Sequence, residues 1–273
     1  MEEKEQDLDT LRSIKNFIID MDGVLYRGRQ PLAGAQEFLN HLRRQGVPFI
    51  LATNNSTLTP TQYVAKLAAM GVEVVEEHIL TSAQATAMYL SQVAPPRAKV
   101  HVIGEEGLFS AMKEQGLLIA DKGVDFVVVG MDRQLTYDKL KTATLAINAG
   151  ATFIGSNPDT TLPSEEGLVP GNGATLAALE AATGVSPLII GKPQPILLRL
   201  AMEKLGVTSD CTAIIGDRLE TDILGGKEVG LTTILVLTGI SDREELETSP
   251  FYPDLVFDDI GHFCQVWRSQ QED

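Results

Sequence analysis

The sequence has only two cysteines in 273 residues, Cys211 and Cys264, far apart and without a CxxC or Cys/His spacing. That excludes a disulfide framework and offers no thiolate zinc site. Long apolar runs are missing too: stretches such as Phe126–Val129 and Thr233–Leu237 fall far short of the roughly 20 residues that span a bilayer. Met1–Thr10 is acidic and carries no apolar segment of the secretory type, so the expectation is a flexible leader over 1–13 and a cytoplasmic protein with no membrane partner. Basic residues are scarce and scattered. Lys and Arg number 22 against 37 Asp and Glu, a formal net charge of −15; this repels nucleic acid, and an anionic ligand must be held by local cations. There is no low-complexity tract and no short repeat. No GxSxG elbow occurs, and His41, His78, His101 and His262 stand apart from any nucleophile, which leaves a serine triad without support.

What the sequence does have is alternation. With 44% hydrophobic residues, short apolar strands exchange with amphipathic helices, as in a parallel sheet covered by helices. Strand Asn16–Ile19, helix Leu32–Gln45 and strand Val47–Ala52 form a first βαβ unit, with Pro31 in the helix's first turn and Gly46 stopping it. Strands are expected again at Lys99–Ile103, Asp125–Val129, Ala151–Ile154, Leu188–Ile190, Thr212–Ile215 and Thr232–Leu237. The chain exceeds the usual size of one domain. The reading is an α/β protein: a Rossmann-like, doubly wound parallel-sheet core over 14–81 and 187–273, interrupted by an inserted α/β domain over 82–186.

Four apolar strands each end in a polar group: Asp20, Thr53, Lys192 and Asp217. In an open parallel sheet the ligand crevice lies outside the carboxyl ends of the strands, so these four are expected along one sheet edge. Asp20 and Asp22 flank Met21 and precede Gly23, a spacing that can turn two carboxylates toward one site while glycine admits an anion to the backbone. Paired acids need separate roles, one ionised to attack phosphorus or bind metal, the other protonated to meet a leaving oxygen. Taken alone, the pair reads more readily as a polar turn after a buried strand. Asp217 at a strand end and Asp222 in the next turn join Asp20 in an oxygen-rich set suited to Mg2+. Lys192 adds a cation, and Thr53 with Asn54 adds hydrogen-bond donors. Gly191-Lys192 lacks the following Ser or Thr of a P-loop, and Pro170-Gly171-Asn172-Gly173 lacks a complete dinucleotide fingerprint and reads as turn chemistry.

These residues, in this order, resemble the haloacid dehalogenase superfamily of phosphatases, in particular its NagD-like (nitrophenylphosphatase-like) branch. The motifs are Asp20-Met21-Asp22-Gly23-Val24, Thr53-Asn54-Asn55, Lys192-Pro193, and Gly216-Asp217 through Asp222. The resemblance implies that Asp20 attacks phosphorus, that Asp22 protonates the alkoxide and then activates water, and that Lys192 steadies the nucleophile and phosphate. It implies phosphate binding by Thr53, with Asn54 and Asn55 beside it, and Mg2+ held by Asp20, the Asp22 carbonyl, Asp217 and Asp222. The insertion then resembles the family's cap, which selects the leaving group. Candidate substrate contacts there are Met131, Asp132 and Arg133, and Asn157 with Asp159; each set serves equally as a turn or helix cap.

The implied partner is a small phosphorylated metabolite. Nucleoside monophosphates, phosphosugars, pyridoxal phosphate, phosphoglycolate and p-nitrophenyl phosphate are all open, as is the choice between monomer and homo-oligomer. Transfer of the phosphoryl group to an alcohol, or a phospho-aspartate signalling module, are the competing readings.

Overall fold

Near-continuous apolar strands, buried on both faces, need helices on either side, and the chain builds two sheets of this kind. The structure, a computed structural model, describes residues 2–164 and 167–271. It divides into two units, one comprising Met1–Ala52, Val64–Ile79 and Leu198–Asp273, the other Thr53–Tyr63 and Leu80–Leu197.

The first unit is organised by a six-stranded sheet in the order Leu255–Phe257, Thr232–Val236, Thr212–Gly216, Asn16–Ile19, Phe49–Thr53, Ile79–Thr81. Strand Asn16–Ile19 is central and parallel to both neighbours, with Phe17 opposite Ala213 on one side and Phe49 on the other. From this strand the chain first extends the sheet in one direction and later in the other. The reversal lies between Asn16–Ile19 and Thr212–Gly216. Beneath it, fully buried Phe17 meets Phe38, Phe263 and Trp267 edge to face, with centroids 5.3, 5.8 and 4.9 Å away. Each such pair contributes about 0.5–1.5 kcal/mol beyond the area it buries. This cluster clamps the helices Ala35–Gln45 and Ile260–Ser269 to the strand that carries Asp20.

The second unit holds a five-stranded sheet in the order Leu188–Ile189, Thr152–Gly155, Phe126–Val129, Lys99–Ile103, Leu118–Ile119, with every pairing parallel. Ile103, Val127, Val129, Ile147, Phe153 and Leu179 pack into its core.

Three expectations are corrected. The strand at Leu188 joins the second sheet, pairing Leu188 with Ile154 and Ile189 with Gly155; the core does not resume at 187, and the second unit runs to Leu197. Lys192 therefore does not follow a strand of the sheet that carries Asp20. The helix expected from Leu32 starts at Ala35, after Gly34. Pro31 lies instead in a small antiparallel ribbon in which Tyr26 pairs with Pro31 and Arg27 with Gln30, a position that tolerates a missing N–H. The segment expected as a flexible leader is a helix, Glu2–Ser13. Its end is tied down because Leu11 and Ile14 are buried and the Leu11 carbonyl accepts a bond from Gln271 Nε2 at 3.5 Å.

Candidate active site

In the first unit, the strand-order reversal leaves a crevice at the carboxyl ends of two adjacent strands. Asp20 follows one and Asp217 the other; the Asp20 N–H donates to the Ile215 carbonyl at 2.8 Å, which fixes their relative height. Asp222 comes from the next turn, where Leu219–Ile223 forms a π-helical turn and the Ile223 N–H reaches back to Arg218 O at 3.2 Å. This widened turn carries the second acid. One carboxylate oxygen from each of Asp20, Asp217 and Asp222 lies within 4.8 Å of the others. Asp217 and Asp222 are 3% and 1% exposed.

Three carboxylates this close repel one another unless donors or a cation compensate. Protein donors supply part. The Ile240 N–H donates to Asp217 Oδ2 at 2.8 Å, and the Arg218 N–H to Asp222 Oδ2 at 3.2 Å. Space is kept by glycine: a Cβ on Gly239 would fall 1.8 Å from Asp217 Oδ2, and one on Gly23, which sits at φ +85°, would fall 2.4 Å from it. The Gly23 carbonyl in turn accepts from Thr238 Oγ1 at 2.5 Å. An all-oxygen donor set, crowded, buried and walled by glycine, fits a small hard divalent cation such as Mg2+.

Asp22 keeps an exposed edge, yet the protein packed around its carboxyl raises its pKa. Lys66, Arg218, a backbone hydrogen bond from Gly28, and Arg27 offset this in part. Lys66, its ammonium 4.1 Å above the Tyr26 ring, has its own pKa lowered by burial and partly restored by Asp22. Neither Lys66 nor Gly239 stands in a motif or at the end of an apolar run, and both reach this site only through folding.

The second unit gathers other predicted residues. Thr53 ends its strand, and its Oγ1 accepts from the Asn55 N–H at 3.2 Å. Asn54 is the hub: its Nδ2 donates to the Lys192 carbonyl at 2.9 Å and to Asp159 Oδ1 at 3.3 Å, and its own carbonyl accepts from Ser82 Oγ. Asn55 turns its Oδ1 to the Thr57 N–H and hydroxyl, at 2.8 and 2.7 Å. Lys192 is 2% exposed. Asn157 Oδ1 accepts from the Asp159 N–H at 3.2 Å, holding that loop. Asn172, set aside in the sequence as turn chemistry, donates from Nδ2 to the carbonyls of Val129 and Asn157 at 3.2 and 2.8 Å. Asp132 and Arg133 each form an ion pair, Asp132 with Lys139 at 2.6 Å and Arg133 with Glu105 at 2.8 Å; Met131 is half-buried beside them.

Residues 17–118 match the haloacid dehalogenase-like hydrolase family and residues 189–263 a second, HAD-hydrolase-like family. An acid sugar phosphatase of Staphylococcus aureus is 44% identical over 92% of this chain and 97% of its own. The chain belongs to the haloacid dehalogenase-like hydrolases. Among solved structures, a 4-nitrophenylphosphatase from Thermotoga maritima is 39% identical, with a TM-score of 0.90 over 94% of this chain and 98% of its own. NagD from E. coli is 37% identical, with a TM-score of 0.86 over 91% and 97%. The protein is thus a NagD-like phosphatase of this family, with a parallel-sheet α/β core. No helix among its described residues is long and apolar enough to cross a membrane.

Proposed function

We propose that this phosphatase hydrolyses small phosphate monoesters with Mg2+, through an aspartyl-phosphate on Asp20. The observation that carries the reading is the convergence of Asp20, Asp217 and Asp222 at the strand-order reversal, with oxygens within 4.8 Å of one another. Asp20, Asp217 and Asp222 would hold the cation, joined by the Asp22 carbonyl in the family's pattern. A cation held there supplies charge neutralisation for the phosphate oxygens and the attacking carboxylate. A carboxylate oxygen of Asp20 forms a bond to phosphorus as the bond to the leaving oxygen breaks, and Asp22 delivers its proton to that alkoxide. Asp22, now ionised, takes a proton from water; the resulting hydroxide attacks phosphorus, releasing inorganic phosphate and restoring the Asp20 carboxylate.

Motif order supports phosphate handling by Thr53, Asn54, Asn55 and Lys192, and the second unit as a cap that selects the leaving group, with Met131, Asp132, Arg133, Asn157 and Asp159 as its candidate contacts. Sugar phosphates and p-nitrophenyl phosphate lead the substrate panel because the similar proteins carry those activities in their names; nucleoside monophosphates, pyridoxal phosphate and phosphoglycolate complete it.

The test is inorganic phosphate release from this panel with Mg2+ and with chelator, for the wild type and Asp20→Asn. Mg2+-dependent release that disappears in Asp20→Asn is expected, because the amide keeps the shape of the carboxylate and not its nucleophilicity. Wild-type turnover by that variant overturns the covalent assignment.

A further inference from the structure

In the first unit, strand Thr232–Val236 runs parallel beside Thr212–Gly216, with Ile234 opposite Ile215 and Leu235 opposite Gly216. Its carboxyl end therefore delivers the next residues to the flank of Asp217. Those residues, 237–241, read Leu-Thr-Gly-Ile-Ser. Two hydroxyls and the backbone amides give this loop the means to hold what lies beside it, and Gly239 lets it press against the Asp217 carboxylate.

The loop holds every acid-bearing segment of the crevice. Asp217 is held twice, its Oδ2 by the Ile240 N–H at 2.8 Å and its carbonyl by the Ser241 N–H at 3.0 Å. Ser241 Oγ accepts from the Leu219 N–H at 3.1 Å. Leu219 opens the π-helical turn that carries Asp222, and Arg218, at the N-cap position, gives that turn no side-chain cap. Ser241, buried at 2% exposure, supplies from another strand's loop the acceptor that a cap would supply. Thr238 Oγ1 donates to the Gly23 carbonyl at 2.5 Å, in the turn that follows Asp20 and Asp22. Arg27, from the ribbon beyond that turn, donates from Nη2 to the Gly239 carbonyl at 2.9 Å. Beneath these bonds Leu219 and Ile223 of the π-helical turn pack with Leu235, Leu237 and Leu246, so the loop and the turn share one apolar base.

Bonds to one acid would steady that acid alone. Bonds from one short loop to all three segments fix the distances between them, and those distances are what a cation senses. Mg2+ demands near-ideal octahedral oxygens at about 2.1 Å, whereas Ca2+ accepts irregular sets at about 2.3–2.6 Å. We propose that residues 237–241 set the aperture of the acid crevice, with Ser241 and Thr238 as positioning residues, and so set how strongly the site favours Mg2+ over the larger Ca2+. The inference rests on the reading that Asp20, Asp217 and Asp222 hold a cation.

The experiment titrates metal-free, full-length protein with Mg2+ and with Ca2+ by calorimetry, in the absence of substrate. The wild type, Ser241→Ala and Thr238→Val are compared, with thermal unfolding to verify that the variants fold. Losing a residue that orients a metal ligand costs about 10–100-fold in affinity. Mg2+ binding is therefore expected to weaken about tenfold or more in each folded variant. Ca2+ binding, tolerant of altered distances, should weaken by about threefold or less, so the ratio of the two dissociation constants falls. A residue that only supports the fold would weaken both cations alike or neither. Either of those results in the folded variants overturns the inference and leaves the cation reading standing. A wild type that binds no Mg2+ at tens of millimolar overturns the cation reading and this inference with it. Should Ser241→Ala fail to fold, Thr238→Val decides alone, because it keeps the shape of a half-buried side chain and removes only its hydroxyl.

Discussion

Gly239 shows how much a single hydrogen in place of a methyl group decides. Its missing side chain is the space occupied by the Asp217 carboxylate, which a Cβ would approach to 1.8 Å. Gly239→Ala must therefore displace Asp217 or the loop that donates the Ile240 N–H to it. Displacing a reacting or metal-holding group by about 1 Å costs on the order of 10²-fold in rate. The expected outcome is a kcat/KM lowered by about that factor together with a raised Mg2+ requirement, read from phosphate release across a Mg2+ titration. An unchanged rate and an unchanged Mg2+ midpoint would remove Asp217 from the chemistry. Asp20, Asp217 and Asp222 were legible in the sequence because each stands just after, or one turn after, a run of apolar strand residues. Gly239 and Lys66 were not, because what makes them matter is a neighbour some 20 or 40 residues away in the chain.

At the scale of elements, the strand Leu255–Phe257 is held to the sheet's edge by more than its ladder. Asp254, just before it, accepts at Oδ2 from the Thr233 N–H and hydroxyl, each at 2.8 Å, and at Oδ1 from Lys227 at 2.5 Å. Burial alone would raise the Asp254 pKa; the hydrogen bonds from Lys227 and Thr233 overcome it and hold the carboxyl below its ordinary value. A carboxylate whose folded pKa is depressed adds stability at neutral pH and loses it as pH falls through the ordinary carboxylate range and below. Its side chain is 36% exposed, so the ion pair itself adds little. Loss of the two Thr233 bonds should dominate. Asp254→Ala is expected to lower unfolding free energy by about 1–3 kcal/mol at pH 7, with the gap to wild type shrinking as denaturation is repeated toward pH 3. A gap constant with pH would mean the charge plays no part. A second prediction concerns Asn172, which ties the ends of Phe126–Val129 and Thr152–Gly155 to the helix Asn172–Thr183. Asn172→Ala leaves two carbonyls without this donor and should cost about 1–3 kcal/mol, measured by thermal or denaturant unfolding; a loss below a few tenths would show that the two carbonyls find other donors.

The same elements mark where sequence reasoning stops. Hydrophobic period is local, so it located the strand at Leu188. Which sheet a strand joins is decided by pairing with distant residues, here Leu188 with Ile154. Alternation that continues unbroken through both units carries no mark at that boundary. The ribbon Tyr26–Pro31 was hidden for a different reason: two-residue strands are too short to show any period.

For the molecule as a whole, the formal charge of −15 makes self-repulsion part of its stability, and burying three acids within one crevice concentrates that repulsion. Two kinds of cation effect follow and can be separated. Any salt screens the exposed charges over about 10 Å at 0.1 M. A cation bound by Asp20, Asp217 and Asp222 acts instead by mass action, adding about 2.7 kcal/mol at a hundredfold excess over its dissociation constant. Thermal unfolding in millimolar Mg2+ should therefore rise above that in NaCl of matched ionic strength, and chelator should return it to the NaCl value. In Asp222→Asn the acids fall from three to two. That variant should start nearer the Mg2+-bound wild type, because repulsion is relieved, and should gain less from Mg2+. Equal shifts with Mg2+ and NaCl in the wild type would reduce the effect to screening and leave the carboxylate crevice without a metal. An undiminished Mg2+ increment in Asp222→Asn would keep the metal and remove Asp222 from its ligands.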